Sequence, residues 1–265
     1  MQSISLGKLE ASRFILGGNP FSGFSHQSGE MDRAMLRYFT VERIKRLLRE
    51  AESLGVSTLI ARTDNHILRL LMEYRDEGGK IQWIAQTAPE LISIQRGIEN
   101  AVKGGASACF IHGGVMDRQY ELGELDEVPP AIEMIRSAGM AAGIAGHNPD
   151  VHRWAQRELD LDFHMCCYYN PASRRDSGEI QPGIVEWFQD RDRQMMVEAI
   201  AALSRPAIHY KVLAAGRSEP KDAFVFVARH LRPGDAVCVG IYDEHRANML
   251  REDIDLFEGS LAKRG

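Results

Sequence analysis

Three side chains of the sequence are of types that perform acid–base or amine chemistry. His112 and His147 each follow a short apolar run, and Lys211 stands among valine, leucine and alanine residues. Imidazoles exchange protons near neutral pH, and a lysine amine in apolar surroundings can attack a carbonyl carbon. Because an unpaired ammonium is costly to bury, a purely structural role for Lys211 is not expected. The predicted catalytic residues are Lys211, His112, His147 and Tyr168.

A divalent metal is the second chemistry that the sequence indicates. Asp64 and His66 follow another apolar run. Histidine and carboxylate ligands from separate strands suit zinc, manganese or iron, with one position open for substrate. The predicted metal ligands are Asp64, His66, His112 and His147. Each has an ordinary alternative, because Asp64 can cap a helix and either His112 or His147 can be a buried core residue.

Other polar side chains stand after the apolar runs, where a substrate would be bound. The predicted substrate-binding residues are Asn19, Arg62, Gln86, Asn148, Asn170 and Arg217. Arg217 follows Ala-Ala-Gly, in the region where barrels often bind anions. The long loop 170–186 is a candidate lid, and its Arg174 and Arg175 are expected to be solvated.

Short apolar runs alternate with longer amphipathic stretches, which predicts alternating strands and helices. The clearest helix spans 41–54, where Ile44, Leu47 and Leu48 recur on one face and Gly55 ends the pattern. Further helices are predicted over 191–203, 222–231 and 246–256. The predicted strands span 14–16, 57–61, 82–86, 108–112, 141–145, 163–168, 207–213 and 236–241.

Eight strand-then-helix units define the expected fold. Strict alternation requires parallel strands with right-handed crossovers, and eight units in 265 residues match a closed (β/α)₈ TIM barrel of the α/β class. We expect one domain over residues 1–265, with residues 4–9 forming a short hairpin strand that caps the barrel floor. The reactive groups would then lie at the C-terminal ends of the strands.

Alternation within each strand predicts which side chains face the barrel interior. Residues two apart share a face, and the outer face of a parallel strand packs on apolar helices, so the more polar face is expected inside. The residues expected inside are His112, His147, His164, Cys166, Tyr168, His209 and Lys211.

At these residues the chain resembles the aldo/keto reductase superfamily over most of its length. LGKLEASRFILGG is similar to that family's hairpin and first strand, FIHGG to its histidine-bearing fourth strand, and CCYYNP and KVLAAG to its sixth and seventh strands. GIYDEHRAN is similar to the segment that binds the NADP phosphate, so the resemblance implies NADP as cofactor. Of the family's catalytic Asp, Tyr, Lys and His, only the histidine matches, at His112. The family's Asp position falls near Arg62, its Tyr position near His66 or Ile67, and its Lys position near Gln86 or Thr87.

Three functions are consistent with this pattern. The favoured one is a non-redox lyase, aldolase or isomerase that acts on a small polyhydroxylated or keto, sugar-like substrate. Either a metal polarises the substrate oxygen, the route we rank slightly higher, or Lys211 forms a Schiff base. The alternative is an NADP-dependent oxidoreductase whose proton donor is His66 or Tyr168. The third is a non-catalytic binding barrel.

Composition excludes several classes of partner. A net charge of −5 and a pI near 6.0 do not favour nucleic acid or an anionic membrane. There is no apolar run of the roughly 18 residues that cross a bilayer and no signal-peptide pattern, so we expect a cytoplasmic enzyme with a small-molecule substrate. Association of copies through the outer helices is compatible with the fold. The four cysteines lie in apolar runs and disulfides are not expected.

Overall fold

The computed structural model describes residues 1–89, 91, 93–169, 172–175 and 188–264. The strands in these ranges are β1 (Ser3–Leu6), β2 (Leu9–Ser12), β3 (Phe14–Gly17), β4 (Thr58–Arg62), β5 (Gln82–Gln86), β6 (Ala108–Ile111), β7 (Ala141–Gly146), β8 (Phe163–Cys167), β9 (Ala207–Tyr210) and β10 (Ala236–Gly240). The helices are α1 (Gly29–Tyr38), α2 (Val41–Ser53), α3 (Asn65–Asp76), α4 (Ile94–Lys103), α5 (Gly113–Leu122), α6 (Val128–Ser137), α7 (Pro149–Glu158), α8 (Asp190–Ala201), α9 (Pro220–His230) and α10 (Met249–Ala262). Short 3₁₀ turns span Asn19–Ser22 and Ala214–Gly216.

Strands β3 to β10 form a closed parallel barrel, which confirms the predicted TIM-barrel fold. They run in the order β10-β3-β4-β5-β6-β7-β8-β9, and the ring closes where Val237 of β10 pairs with Phe14 of β3. The helices lie outside because each has an apolar stripe to bury. In α2, Thr40 caps the first turn and Ile44 is among the buried residues.

An antiparallel hairpin formed by β1 and β2 covers the barrel floor. Its apolar side chains belong to the same buried cluster as the barrel interior, with Leu6 fully buried. The predicted single strand over 4–9 is in fact two strands, because the chain reverses at Gly7, whose φ is 58°. A Cβ at Gly7 would lie 2.6 Å from Asp162 Oδ1, so the turn rests directly on the start of β8.

Two buried clusters separate the interior of the barrel from the layer beneath the helices. The interior cluster includes Phe110, Ala145, Phe163 and Met165, whereas Cys166 belongs to the outer cluster. The interior position of the β7 face that leads to His147 follows the prediction. The predicted orientation of β8 was wrong: Phe163 and Met165 face inward, and His164, Cys166 and Tyr168 face outward.

Paired polar groups explain why the outer faces of β8 and β9 are not apolar. His164 Nδ1 lies 3.2 Å from Nδ1 of His152 in α7. The Tyr168 hydroxyl lies 2.8 Å from His209 Nδ1, and His209 Nε2 lies 3.3 Å from Asp235 Oδ2. His209 therefore also faces outward, contrary to the prediction, because these side chains satisfy one another beneath the helices.

The described helices and cysteines were also compared with what composition predicts. Among the described residues, no helix combines the length and apolar character needed to cross a bilayer. The four cysteines are free thiols, three of them buried and Cys238 partly so.

Candidate functional site

A cavity of about 750 Å³ opens at the C-terminal ends of the barrel strands. It is lined by residues from the ends of most barrel strands and by the segment that follows β3. Six of the residues predicted as functional lie in its wall, which is the position that parallel strands give to reactive groups. They are Asn19, Arg62, Gln86, His112, His147 and Lys211.

Strained backbone is concentrated at this cavity. Among the described residues, the non-glycine residues with positive φ are His26, Lys211, Ala214 and Ala215. His26, Lys211 and Ala215 line the cavity, and Ala214 adjoins it. Such conformations cost roughly 1–3 kcal/mol each and persist where the surrounding structure imposes them, commonly at functional sites. Strand β9 was predicted to continue to residue 213, but it ends at Tyr210, because Lys211 takes a φ of 57°.

The left-handed conformation of Lys211 places its amine beside His26. Nζ of Lys211 donates to His26 Nδ1 at 3.4 Å, and His26 Nε2 lies 3.2 Å from the side-chain amide of Asn19. The loop that carries His26 is fixed from two sides. Arg217 Nη2 donates to the His26 carbonyl at 3.0 Å, and Gln27 Nε2 donates to the Ala215 carbonyl at 2.7 Å. These hydrogen bonds hold the loop that carries His26 against the loop that follows Lys211, and so fix the position of the Lys211 amine.

His147 forms a buried dyad with Asp117, a residue that the sequence did not single out. Its Nδ1 lies 2.7 Å from Asp117 Oδ2, and its backbone N–H donates to the same carboxylate at 3.0 Å. Burial raises the pKa of Asp117 to about 6, although the N–H groups of Asn148 and His147 oppose the rise. When Nδ1–H donates to Asp117, the basic ring nitrogen is Nε2, so His147 has the tautomer of a general base.

His112 is a neutral imidazole among cations. Burial, together with repulsion from Arg62, His147 and Arg174, lowers the pKa of His112 well below its usual value. Its backbone N–H donates to Thr87 Oγ1 at 2.9 Å. Its buried Nδ1 has no hydrogen-bond partner in the part of the chain that the structure describes.

Tyr210, rather than Tyr168, supplies the phenol of the cavity. Tyr210 lines the cavity and packs against the interior cluster, with its ring centroid 6.1 Å from that of His147. A Cβ at Gly113 would lie 3.1 Å from the Tyr210 hydroxyl, so the glycine leaves room for the phenol. Burial and the neighbouring Cys167 raise the pKa of Tyr210 well above 10, which keeps the hydroxyl protonated. Tyr168 points under the helices and was wrongly predicted to face the site.

Arg174 lines the same cavity and was wrongly expected to be solvated. Only 2% of its surface is exposed, and within the described ranges none of its three guanidinium nitrogens has a hydrogen-bond partner. Arg175, by contrast, is exposed, as predicted. The sequence offered no signal for this difference between neighbours, because it arises from the tertiary contacts of the segment 172–175, which is bound to Glu121 of α5.

The predicted metal ligands do not come together. Asp64 caps α3 by accepting from the Ile67 N–H at 2.9 Å, and His66 is exposed on the same helix. Within the described residues no three His, Cys, Asp or Glu side chains are arranged to hold a metal. The predicted four-residue ligand set is therefore not assembled among the described residues, where Asp64 serves as a helix cap.

Two of the predicted substrate-binding residues, Asn148 and Arg217, do not line the cavity. Asn148 caps α7 by accepting from the Asp150 N–H at 2.9 Å. Arg217 is exposed and stacks 4.2 Å over the Phe188 ring while bracing the His26 loop. Asn170 and most of the candidate lid 170–186 lie outside the described residues.

Comparison with known proteins gives no match in sequence and many in structure. No family model matches the chain, and no curated protein does. A Pseudomonas aeruginosa protein described as an aldo-keto reductase is 17% identical with a TM-score of 0.64, over 100% of this chain and 94% of that one. The holo form of an aldo-keto reductase from Bacillus halodurans is 13% identical with a TM-score of 0.62, over 98% and 96%.

Aldolases are also among the similar structures. An archaeal fructose-1,6-bisphosphate aldolase, with its catalytic lysine bound to the carbinolamine of its substrate, is 16% identical with a TM-score of 0.54, over 94% of this chain and 93% of that one. The chain thus has the barrel fold that enzymes of both kinds share. The resemblance to aldo-keto reductases inferred from sequence is confirmed in the fold.

Proposed function

We propose that this protein is a lyase of the aldolase type that acts on a small, sugar-like oxo compound through an imine with Lys211. The observation that carries the proposal is the placement of the Lys211 amine by strained backbone, 3.4 Å from His26 Nδ1, inside a cavity that also holds Tyr210 and His147. An amine that attacks a carbonyl needs a nearby proton acceptor and donor, and these neighbours offer both. The similarity of the fold to an archaeal Schiff-base aldolase supports the same chemistry.

The steps assign one role to each group. Nζ of Lys211 adds to the substrate carbonyl carbon, and the carbinolamine loses water, with Tyr210 donating a proton to the departing oxygen. Nε2 of His147, oriented by Asp117, removes the proton of the hydroxyl on the β carbon, which is the end of the cleaved bond farther from the iminium carbon. The β carbon becomes an aldehyde as the C–C bonding electrons move into the iminium and form an enamine. Protonation of the enamine and hydrolysis then release the second product and Lys211.

Borohydride trapping tests the imine. Incubation with pyruvate, dihydroxyacetone or dihydroxyacetone phosphate, followed by borohydride, should add a reduced adduct to Lys211 in a peptide mass spectrum. Lys211→Met should abolish the adduct, whereas Lys221→Met, at an exposed lysine of α9, should retain it. Circular dichroism of each variant checks that it is folded. Trapping that is absent from the wild type with every oxo compound, or that persists in Lys211→Met, would contradict the proposal.

A second candidate, an NADP-dependent reductase, is favoured by the similarity of the fold to a holo aldo-keto reductase. The residues that would hold the cofactor phosphate do not fit it well. Arg246, the arginine of the matching segment, already pairs with Glu252 at 2.6 Å and with Asp253 at 3.3 Å, and Asp243 and Glu244 add negative charge beside it. We therefore derive no step through NADP.

Cofactor titration separates the two candidates. NADPH added to the purified protein should give no saturable fluorescence change at micromolar concentrations if the imine route operates. Saturable binding, together with reduction of the same oxo compounds, would replace the lyase with the reductase.

A further inference from the structure

Arg174 is a buried cation with no partner within the protein as described. It is 2% exposed and lines the cavity, and its Nε, Nη1 and Nη2 atoms have no hydrogen-bond acceptor in the described ranges. Buried guanidinium groups are ordinarily paired, because removing their hydration is costly. A buried arginine in a cavity wall, with no acceptor for its donors among the described residues, is arranged for an acceptor that a ligand brings.

A carboxylate of α5 binds the backbone of the segment 172–175 and does not pair with the Arg174 guanidinium. Glu121 of α5 accepts from the backbone N–H of Arg174 at 2.9 Å and from the Ser173 hydroxyl at 2.6 Å. Its other neighbour is Arg175, at 3.6 Å. The segment is therefore attached to α5 through Ser173, Arg175 and the Arg174 backbone, while the Arg174 guanidinium takes no part in the attachment.

The N-terminus of α5 is a second feature of the same wall. This helix has ten residues, and its first turn has no side-chain cap. Gly113 and Gly114 of that turn line the cavity. Backbone N–H groups at a helix start attract anions, and glycine allows a ligand to approach them closely.

Two further cationic side chains lie in the wall of the cavity. Arg62, 5% exposed, lies in the wall at the end of β4, and Lys211 lies at the end of β9. Three described carboxylates near the cavity have partners: Asp117 binds His147, Asp32 binds Ser25, and Asp64 caps α3 and lies 4.0 Å from Arg62. No carboxylate among the described residues bonds to the Arg174 guanidinium.

We infer that Arg174 and the first turn of α5 bind an anionic group, a carboxylate or a phosphate, carried by the substrate. This inference rests on the proposed function and extends it, since the substrate would present its carbonyl to Lys211 and its anionic group to Arg174. Substrates of this class are oxo acids or sugar phosphates. The planar guanidinium forms two parallel hydrogen bonds with either group.

Unreactive anions test this site independently of Lys211. Inorganic phosphate and acetate are titrated separately into ¹⁵N-labelled protein, and the backbone resonances of Gly113 and Gly114 are followed. Arg174→Gln should weaken binding of the preferred anion by about tenfold or more, as expected for loss of a charge-assisted pair. The matched control is Arg175→Gln, at the exposed neighbour, which should leave the affinity within about twofold. Preference for phosphate or for acetate identifies a phosphoryl or a carboxylate substrate.

Each outcome either supports or overturns the site. Equal affinity of the wild type and Arg174→Gln, or no saturable shift at either glycine up to about 50 mM anion, overturns it. If Arg174→Gln proves unfolded by circular dichroism, Arg174→Lys keeps the charge without the planar fork and should bind more weakly than the wild type. Neither probe has a carbonyl that forms an imine under these conditions, so failed trapping at Lys211 with retained anion binding would remove the lyase mechanism alone.

Discussion

Replacement of Arg174 by methionine should make the ligand-free protein more stable. The wild type buries a guanidinium at 2% exposure without a hydrogen-bond acceptor among the described residues. The effective penalty for a buried, unpaired charge is several kcal/mol. Methionine fills a similar volume without that penalty. Allowing for residual hydration through the cavity, we expect a gain of about 2 kcal/mol in the free energy of unfolding.

Calorimetry in a buffer without phosphate or carboxylate measures the effect. A gain of about 2 kcal/mol in a chain of this size corresponds to a rise in Tm of about 4–8 °C. Arg175→Met is the matched control, since it removes only an exposed pair with Glu121 at 3.6 Å, and should change the stability by less than about 0.5 kcal/mol.

Added anion should reverse part of the difference. A ligand at ten times its Kd stabilises the form that binds it by about 1.4 kcal/mol, and only the wild type should respond. The wild type then approaches the stability of Arg174→Met as phosphate or carboxylate is added. A lower Tm of Arg174→Met in the absence of anions would refute the reasoning, because the guanidinium would then stabilise the protein as it stands.

Three further predictions follow from buried groups. Tyr168→Phe should lower the free energy of unfolding by about 1–2 kcal/mol, because it leaves a buried acceptor or donor unpaired, and it should not change kcat. Tyr210→Phe should lower kcat by about tenfold or more. Equal effects of the two substitutions on kcat would contradict the assignment of Tyr210, rather than Tyr168, to the site. Asp117→Asn should lower kcat by about 10²-fold with little change in KM, and an unchanged pH–rate profile would exclude its role in orienting the histidine. Burial lowers the pKa of His152 to about 4 and that of His164 to about 3, below the unfolded value near 6.5. The unfolded chain therefore binds more protons below pH 6.5, and urea unfolding should show stability falling by roughly 3 kcal/mol or more between pH 7 and pH 4; a flat curve would contradict burial of neutral rings.

The barrel and part of its mouth were predictable because they depend on local periodicity. Strand β5 has the predicted bounds. The inner face of β7 was identified from small residues, and the structure gives the reason: a Cβ at Gly143 would lie 2.6 Å from the Phe163 ring. His147 follows on that face, so its place at the cavity could be inferred from parity.

The remaining features depend on contacts between residues distant in sequence. Polarity failed to identify the inner face of β8, because His164 pairs with His152 of a covering helix. Asp117 resembles an ordinary polar residue of a helix until the fold brings it to His147. The positive φ of Lys211 occurs in a loop that is hydrogen-bonded to the loop carrying His26. The residue types around Lys211 do not predict it. Arg174 differs from Arg175 only through tertiary placement.

Closure of the barrel by β3 and β10 has a consequence for folding during synthesis. Phe14 pairs with Val237, so the ring cannot form until β10 has left the ribosome. Until then β3 and β9 present unpaired edges, which are prone to non-native association. Nascent chains that end before residue 236 should therefore bind chaperones and be readily digested by proteases, and protection should rise abruptly once the last strand emerges.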